Sequence, residues 1–233
     1  CALPILVPSL MALWVLLLSE SLSSTGIAPP APERADEFSF SFQGRIVTLD
    51  HGATLVASTQ FVELQRLGVL ATIAFDPASR VDNATQLGQL GELHHYPHVV
   101  LGDGRPATLH ACLDPALSAT LQPLASTDDG ARVLARLPLP TLKLDNVNGL
   151  PPVDWLLLDN LNDSLAVLEH GSQTLARVLL VQARISFVPS HAGQPDLGPL
   201  TQALARLGLT FYSLHGFRHS SRLAQEEARA HLR

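Results

Sequence analysis

The sequence predicts an α/β fold in which a mostly parallel, twisted sheet lies between two layers of helices. Short apolar, β-rich runs alternate with helix-like segments at the spacing of βαβ units, and three of these runs are followed at once by an aspartate. The 233-residue chain is 46% hydrophobic and 15% charged, so it contains enough apolar material for one sizeable core.

Seven segments have the composition of strands, and together they predict a sheet of about seven strands. The segment that begins at Leu179 alternates apolar and polar residues, which is typical of a half-exposed strand. The predicted strands are Ile46–Leu49, Ala71–Phe75, Tyr96–Leu101, Thr108–Cys112, Trp155–Leu158, Leu179–Phe187 and Thr210–Leu214.

Three helices are predicted from apolar residues that recur on one helical face. The first follows the first strand and ends at Gly68. The second begins at Asn162 or Asp163 and ends before Gly171, and the third ends at Gly208. The long segment between Leu113 and Leu142 carries no motif that we can interpret.

The two ends of the chain are predicted to lie outside the folded domain, which we expect over residues 38–219. Residues 1–37 combine an uncharged apolar segment, Cys1 to Leu18, with a linker rich in Pro, Ser and Ala. That apolar segment suggests a fragment, a translation start at Met11, or a signal-like region. Residues 220–233 predict a polar, exposed helix, and a cytoplasmic location is our default expectation.

Composition excludes several classes of protein. With 15 basic and 21 acidic side chains the net charge is -6, so nucleic-acid binding is not expected. The two cysteines cannot form a disulfide framework or a four-thiolate zinc site. His94, His95 and His98 are spaced like metal ligands, but Pro97 interrupts a helix there, so we predict a solvated loop and no metal site.

Three acids, Asp50, Asp76 and Asp159, directly follow predicted strands, where an open parallel sheet binds its ligands. Gly52 follows the first acid at a point where the backbone must turn tightly. A carboxylate after the second strand can accept both hydroxyls of a ribose, which is the role that we expect for Asp76. The alternative is that Asp76 is only a turn or helix cap.

The same residues resemble a known family, the FkbM-type S-adenosylmethionine-dependent methyltransferases. Leu49-Asp50-His51-Gly52-Ala53 resembles the family's Asp-x-Gly-Ala motif, and Phe75-Asp76-Pro77 resembles its Phe-Glu-Pro or Phe-Asp-Pro motif. Leu158-Asp159, Phe187 and Gly193-Gln194-Pro195 match parts of the family's C-terminal segments. The matching segments keep their order from about residue 44 to 215.

The resemblance implies a Rossmann-like methyltransferase fold that binds S-adenosylmethionine and methylates a hydroxyl of a small-molecule, glycan or lipid-linked sugar acceptor. It implies that Asp50, Gly52 and Ala53 line the methionine side, that Asp76 holds the ribose and that Asp103 lies near the adenine. Asp159 would face the acceptor and take its proton. Membrane association is not expected, and the sequence does not reveal the oligomeric state.

The sequence departs from the family pattern at ligand-facing positions. Val56 stands where the family has its second motif glycine, and Leu157, Asn162 and Ser164 replace a lysine, a glycine and a glutamate. Two interpretations stay open, a diverged enzyme and a catalytically degenerate member that acts as a binding or interaction module. We expect a partly open cleft beside the three acids, and a cleft filled by Val56 and Leu157 would count against cofactor binding.

Overall fold

The computed structural model of the protein describes residues 44–124 and 129–216. The predictions for residues 1–37 and 220–233 lie outside the described residues. Within these ranges the chain forms nine strands and four α-helices. The strands are β1 (Ile46–His51), β2 (Leu70–Asp76), β3 (Glu92–Pro97), β4 (Val100–Leu101), β5 (Ala107–Cys112), β6 (Val133–Leu139), β7 (Thr141–Leu142), β8 (Trp155–Leu158) and β9 (Leu180–Ala183). The helices are α1 (Thr59–Arg66), α2 (Ala84–Leu90), α3 (Ser164–Glu169) and α4 (Leu197–Arg206).

The central sheet has five strands in the order β3-β2-β1-β8-β9, and every neighbouring pair is parallel. All seven residues of β2 are buried, which is typical of a strand covered on both faces. The predicted strands at Ile46, Ala71 and Trp155 are therefore confirmed, and together they form the middle of the sheet.

Helices cover both faces of this sheet, so the predicted three-layer α/β arrangement is confirmed. On one face, Phe61 of α1 and Leu87 of α2 pack with Ala74 and Leu157. On the other face, helices α3 and α4 contribute the buried side chains of a second cluster, Val167, Leu168 and Leu200, which pack against Leu49, Ile73, Phe75, Leu156 and Leu158. Alternate residues of each strand supply the two clusters.

The predicted helix ends are confirmed. Gly68 and Gly208 have φ angles of 67° and 80°, the left-handed conformation that stops a helix after its last turn. Of the two candidate caps of α3, the structure selects Asp163, whose carboxylate accepts a hydrogen bond from the backbone N–H of Ala166 at 3.1 Å. Helix α2 was not predicted, because its few apolar residues form only a short stripe.

The prediction of one strand over Tyr96–Leu101 is wrong. The chain turns at His98, which has a φ angle of 58°, so β3 ends at Pro97 and β4 leaves to pair with β7. His94 and His95 lie in β3 and not in the predicted solvated loop. Among the described residues, no three metal-ligating side chains are placed to hold an ion.

The expected seven-stranded sheet is also wrong for the described residues, since only five strands join it. Thr108–Cys112 is a strand, but it pairs antiparallel with β6 in a separate hairpin. The alternating segment from Leu179 to Phe187 is a strand only in β9, because β8, its partner, ends at Leu158. Thr210–Leu214 is irregular, because an apolar segment does not form a strand without a neighbouring strand to bond.

Candidate functional site

The candidate site lies at the carboxyl ends of β2, β1 and β8, which are neighbours in the sheet. The chain passes from β1 to β2 on one side, whereas β8 lies on the other side, so the order of strands reverses between β1 and β8. Such a reversal opens the crevice in which α/β sheets bind ligands. The backbone N–H of Gly52 bonds to the carbonyl of Phe75 at 2.9 Å, which ties the β1 end to the β2 end.

Asp50 is fully buried and holds the loop that follows β1. Its Oδ1 accepts the N–H of Thr54 at 3.0 Å, and its Oδ2 accepts those of Leu55 and Val56 at 2.8 and 3.0 Å. Burial raises the pKa of Asp50, and the three backbone hydrogen bonds act in the opposite direction. The carboxylate therefore stabilises its own loop and presents no oxygen to solvent. Ala53, in the same loop, is also fully buried.

Asp76 likewise holds the loop that follows β2. Its two oxygens accept the backbone N–H groups of Arg80 and Val81 at 2.9 and 3.0 Å. Nε2 of His95 in β3 lies 3.0 Å from Oδ2. Because the side chain of Asp76 is 0% exposed, this carboxylate is closed to a ribose in this structure.

Asp159 meets the glycine after β1. A Cβ added at Gly52 would overlap the carboxylate of Asp159, so only glycine fits at position 52. The side chain of Asp159 is 1% exposed, and its Oδ2 accepts a hydrogen bond from Nδ2 of Asn162 at 2.7 Å. Its Oδ1 has no hydrogen-bond partner.

His51 faces this orphaned oxygen. Its Nε2 lies 4.0 Å from Oδ1 of Asp159, and neither ring nitrogen has a hydrogen-bond partner. Burial raises the pKa of Asp159 to about 7 and lowers that of His51 to about 4. At pH values between these two, both side chains are neutral, so the pair is not an ion pair.

A segment of the chain itself, residues 117–124, lies against the β8 end of the site; we call it the covering segment. Thr120 Oγ1 donates to Oδ1 of Asn162 at 2.8 Å, and the N–H of Leu121 donates to the carbonyl of Leu161 at 3.2 Å. On its other side, the N–H of Ala192 bonds to the carbonyl of Gln122 at 2.8 Å. The covering segment thus connects the end of β8 to the loop before α4.

Arginine and histidine side chains hold the start of the covering segment. The guanidinium of Arg80 donates to the carbonyl of Ser118, and Nε2 of His191 lies 3.2 Å from the carbonyl of Leu117. Burial lowers the pKa of His191. Sequence analysis missed the role of Arg80, although its position four residues after Asp76 could have indicated it.

The structure thus brings Asp50, Gly52, Ala53, Asp76 and Asp159 to one edge of the sheet but leaves Asp103 apart. Asp103 follows β4, outside the central sheet, and its side chain is 42% exposed. Its Oδ1 accepts the N–H of Arg105 at 2.8 Å, which closes a local turn. None of its described contacts joins it to the three buried acids.

The three acids do not line an open cleft among the described residues, because all three are buried. Val56 and Leu157 are also buried, 2% and 5% exposed, and belong to one apolar cluster. A cavity of about 380 Å³ does lie next to Val56, between the start of α1 and the loop before α2. Residues 56–59, Val62, residues 80–83 and Leu87 line it, so none of the three acids opens into it.

No protein-family model matches the chain, and neither a curated protein nor a solved structure is significantly similar to it. None of the helices described in residues 44–124 and 129–216 is long and apolar enough to cross a membrane.

Proposed function

We propose that this chain is a catalytically degenerate protein of Rossmann-like, methyltransferase type that acts as a binding or interaction module. The observation that carries the proposal is that the carboxylate of Asp76 is closed off from solvent. This carboxylate is fully buried and accepts hydrogen bonds from two backbone amides of its own chain. Because the side chain is 0% exposed, a ribose would reach these oxygens only if the loop after β2 moved.

The sheet supports the Rossmann-like part of the proposal. Five parallel strands lie in the order β3-β2-β1-β8-β9, so the order of connection reverses between β1 and β8, and three aspartates stand at the ends of β1, β2 and β8. This matches the arrangement that the resemblance to FkbM-type methyltransferases implies. This sheet supports a scaffold of the kind that binds nucleosides, although the carboxylates of Asp50, Asp76 and Asp159 are buried and bond to groups of their own chain.

The residues carried over from that family do not fit S-adenosylmethionine here. Asp159 occupies the space beside Gly52 that a ligand would approach. Both oxygens of Asp50 accept hydrogen bonds from the backbone of its own loop. Val56, which replaces a glycine, is packed in the apolar cluster with Leu157. These contacts favour a module that binds through its surface over an enzyme that turns over this cofactor.

Thermal unfolding of the full chain with and without S-adenosylmethionine tests the proposal. We expect no shift of the midpoint at millimolar ligand, with S-adenosylhomocysteine as a second probe. A ligand at one hundred times its dissociation constant would stabilise the fold by about 2.7 kcal/mol, which is easily measured. A saturable shift, supported by a calorimetric titration, would refute the proposal.

One observation favours a second candidate, an S-adenosylmethionine-dependent methyltransferase that acts on a hydroxyl of a glycan or small-molecule acceptor. Asp159 has a pKa of about 7 and one oxygen without a partner, as a general base at neutral pH requires. Because the side chain of Asp159 is 1% exposed, its surroundings would have to move before an acceptor could reach this oxygen. The titration above decides between the two candidates, because only the enzyme needs the cofactor.

A further inference from the structure

The two edges of the central sheet differ in how they face solvent. The edge strand β3 carries Glu92, His94 and His95 and ends at Pro97. Arg45 and His94 both approach the carboxylate of Glu92. Charge and proline are the features by which edge strands avoid pairing with other chains. The β3 edge is therefore protected.

The opposite edge strand, β9, has none of this protection. Its sequence, Leu180-Val181-Gln182-Ala183, contains no charge and no proline. Leu179 and Leu180 are 77% and 45% exposed. Within the described residues, β9 is the last strand of the sheet, so no strand lies on its outer side.

The register with β8 shows which backbone groups point outward. The N–H groups of Leu180 and Arg184 bond to the carbonyls of Asp154 and Leu158, at 3.0 and 2.8 Å. Because backbone groups alternate along a strand, those of Val181 and Ala183 point away from β8. An added strand could therefore bond to both the N–H and the C=O of these two residues.

Charge identifies the kind of strand that would fit. Arg177 precedes β9 by three residues and Arg184 directly follows it; both are exposed, and neither forms an ion pair among the described residues. An apolar segment with an acidic residue near each end would complement this edge in charge as well as in hydrogen bonding. A basic segment would be repelled.

We propose that β9 is a docking edge for an extended, apolar peptide segment of a partner protein that carries acidic residues near its ends. The peptide adds a sixth strand, bonded to Val181 and Ala183 and flanked by the two arginines. The inference rests on the proposed function as an interaction module and names its partner class. Its experiment is independent of the cofactor titration, so failure of one is distinguishable from failure of the other.

The test is a titration of the full, isotope-labelled chain with a blocked hexapeptide, Glu-Val-Thr-Val-Thr-Glu, followed by amide NMR signals. We expect saturable shifts at Val181 and Ala183. The matched peptide with lysine in place of both glutamates should leave these signals unchanged. Titration to about 1 mM peptide detects dissociation constants up to about 1 mM. Absence of saturable shifts with the acidic peptide over this range would overturn the proposal.

Two variants separate docking at this edge from nonspecific binding. Val181→Pro removes one outward N–H without removing a bond to β8, and should weaken the acidic peptide about tenfold. The double variant Arg177→Glu with Arg184→Glu should reverse the preference, so that the lysine peptide binds better. Unchanged preference in the double variant would overturn the proposal. So would a concentration-dependent dimer of the unmodified chain that Val181→Pro abolishes, because a second copy would then occupy the edge.

Discussion

Replacing Asp159 by asparagine should stabilise the folded chain at neutral and alkaline pH. The buried carboxyl has a pKa of about 7 instead of 3.8, so the folded chain keeps a proton that the unfolded chain releases. At about 1.36 kcal/mol per pKa unit, ionising this carboxyl inside the protein costs about 4 kcal/mol above pH 7. Asparagine has the same shape, stays neutral, and can keep the contact with Asn162.

The sign of the pH dependence follows from this proton. As pH rises from about 4 to about 7, Asp159 contributes a steady loss in the free energy of unfolding, which is complete above pH 7. His51 acts in the opposite direction, because its pKa is lowered from 6.5 to about 4 and the unfolded chain binds the extra proton. Its contribution to stability is lost as pH falls through this range, so the two slopes nearly cancel between pH 4 and 6.5.

A single variant removes one of these two opposing contributions, so the pH dependence of the free energy of unfolding that the other causes should become measurable. With Asp159→Asn, stability should rise with pH between 4 and 6.5, and with His51→Gln it should fall between 4 and 7. Urea unfolding followed by tryptophan fluorescence at several pH values measures both slopes. Asp103→Asn, at a partly exposed carboxylate, is the control and should change neither. The reasoning is refuted if Asp159→Asn is less stable than the unmodified chain at pH 8.

Three further variants test the loops and core that close the site. Gly52→Ala should destabilise the fold by at least about 2 kcal/mol, since the residue has a φ angle of 95° and its new Cβ would meet Asp159; a thermal midpoint within one degree of the unmodified chain would contradict this. Asp50→Asn should cost about 3 kcal/mol in urea unfolding, because an amide cannot accept from all three loop N–H groups, whereas the same change at exposed Asp82 should cost nothing. Phe61→Ala should cost about 3 to 5 kcal/mol, because Phe61 is fully buried, and a smaller loss would show that α1 packs loosely on the sheet.

The sequence was informative where one rule of local chemistry determines the structure. An apolar run followed by aspartate correctly located β1, β2 and β8, because buried parallel strands need apolar side chains on both faces. Gly68 and Gly208 correctly marked helix ends, because few other residues adopt a positive φ. The hairpin of β5 and β6 was not predictable in this way, since its pairing depends on contacts between distant residues.

The same limit explains why the sequence predicted that the three aspartates lie at one edge of the sheet but not that their carboxylates are buried. A sequence can put Asp50, Asp76 and Asp159 at one edge of a sheet, yet it does not show where their oxygens point. Whether a carboxylate serves a ligand or its own loop depends on amide groups four to six residues away, and these become available only when that loop curls back. The one local signal was Val56, which stands where the resembled family has a glycine, because a β-branched residue favours a loop that packs inward on the core. The packing of Val56 and the burial of Asp50 are thus properties of one loop, since the N–H of Val56 donates to the carboxylate of Asp50 while its side chain packs in the apolar cluster.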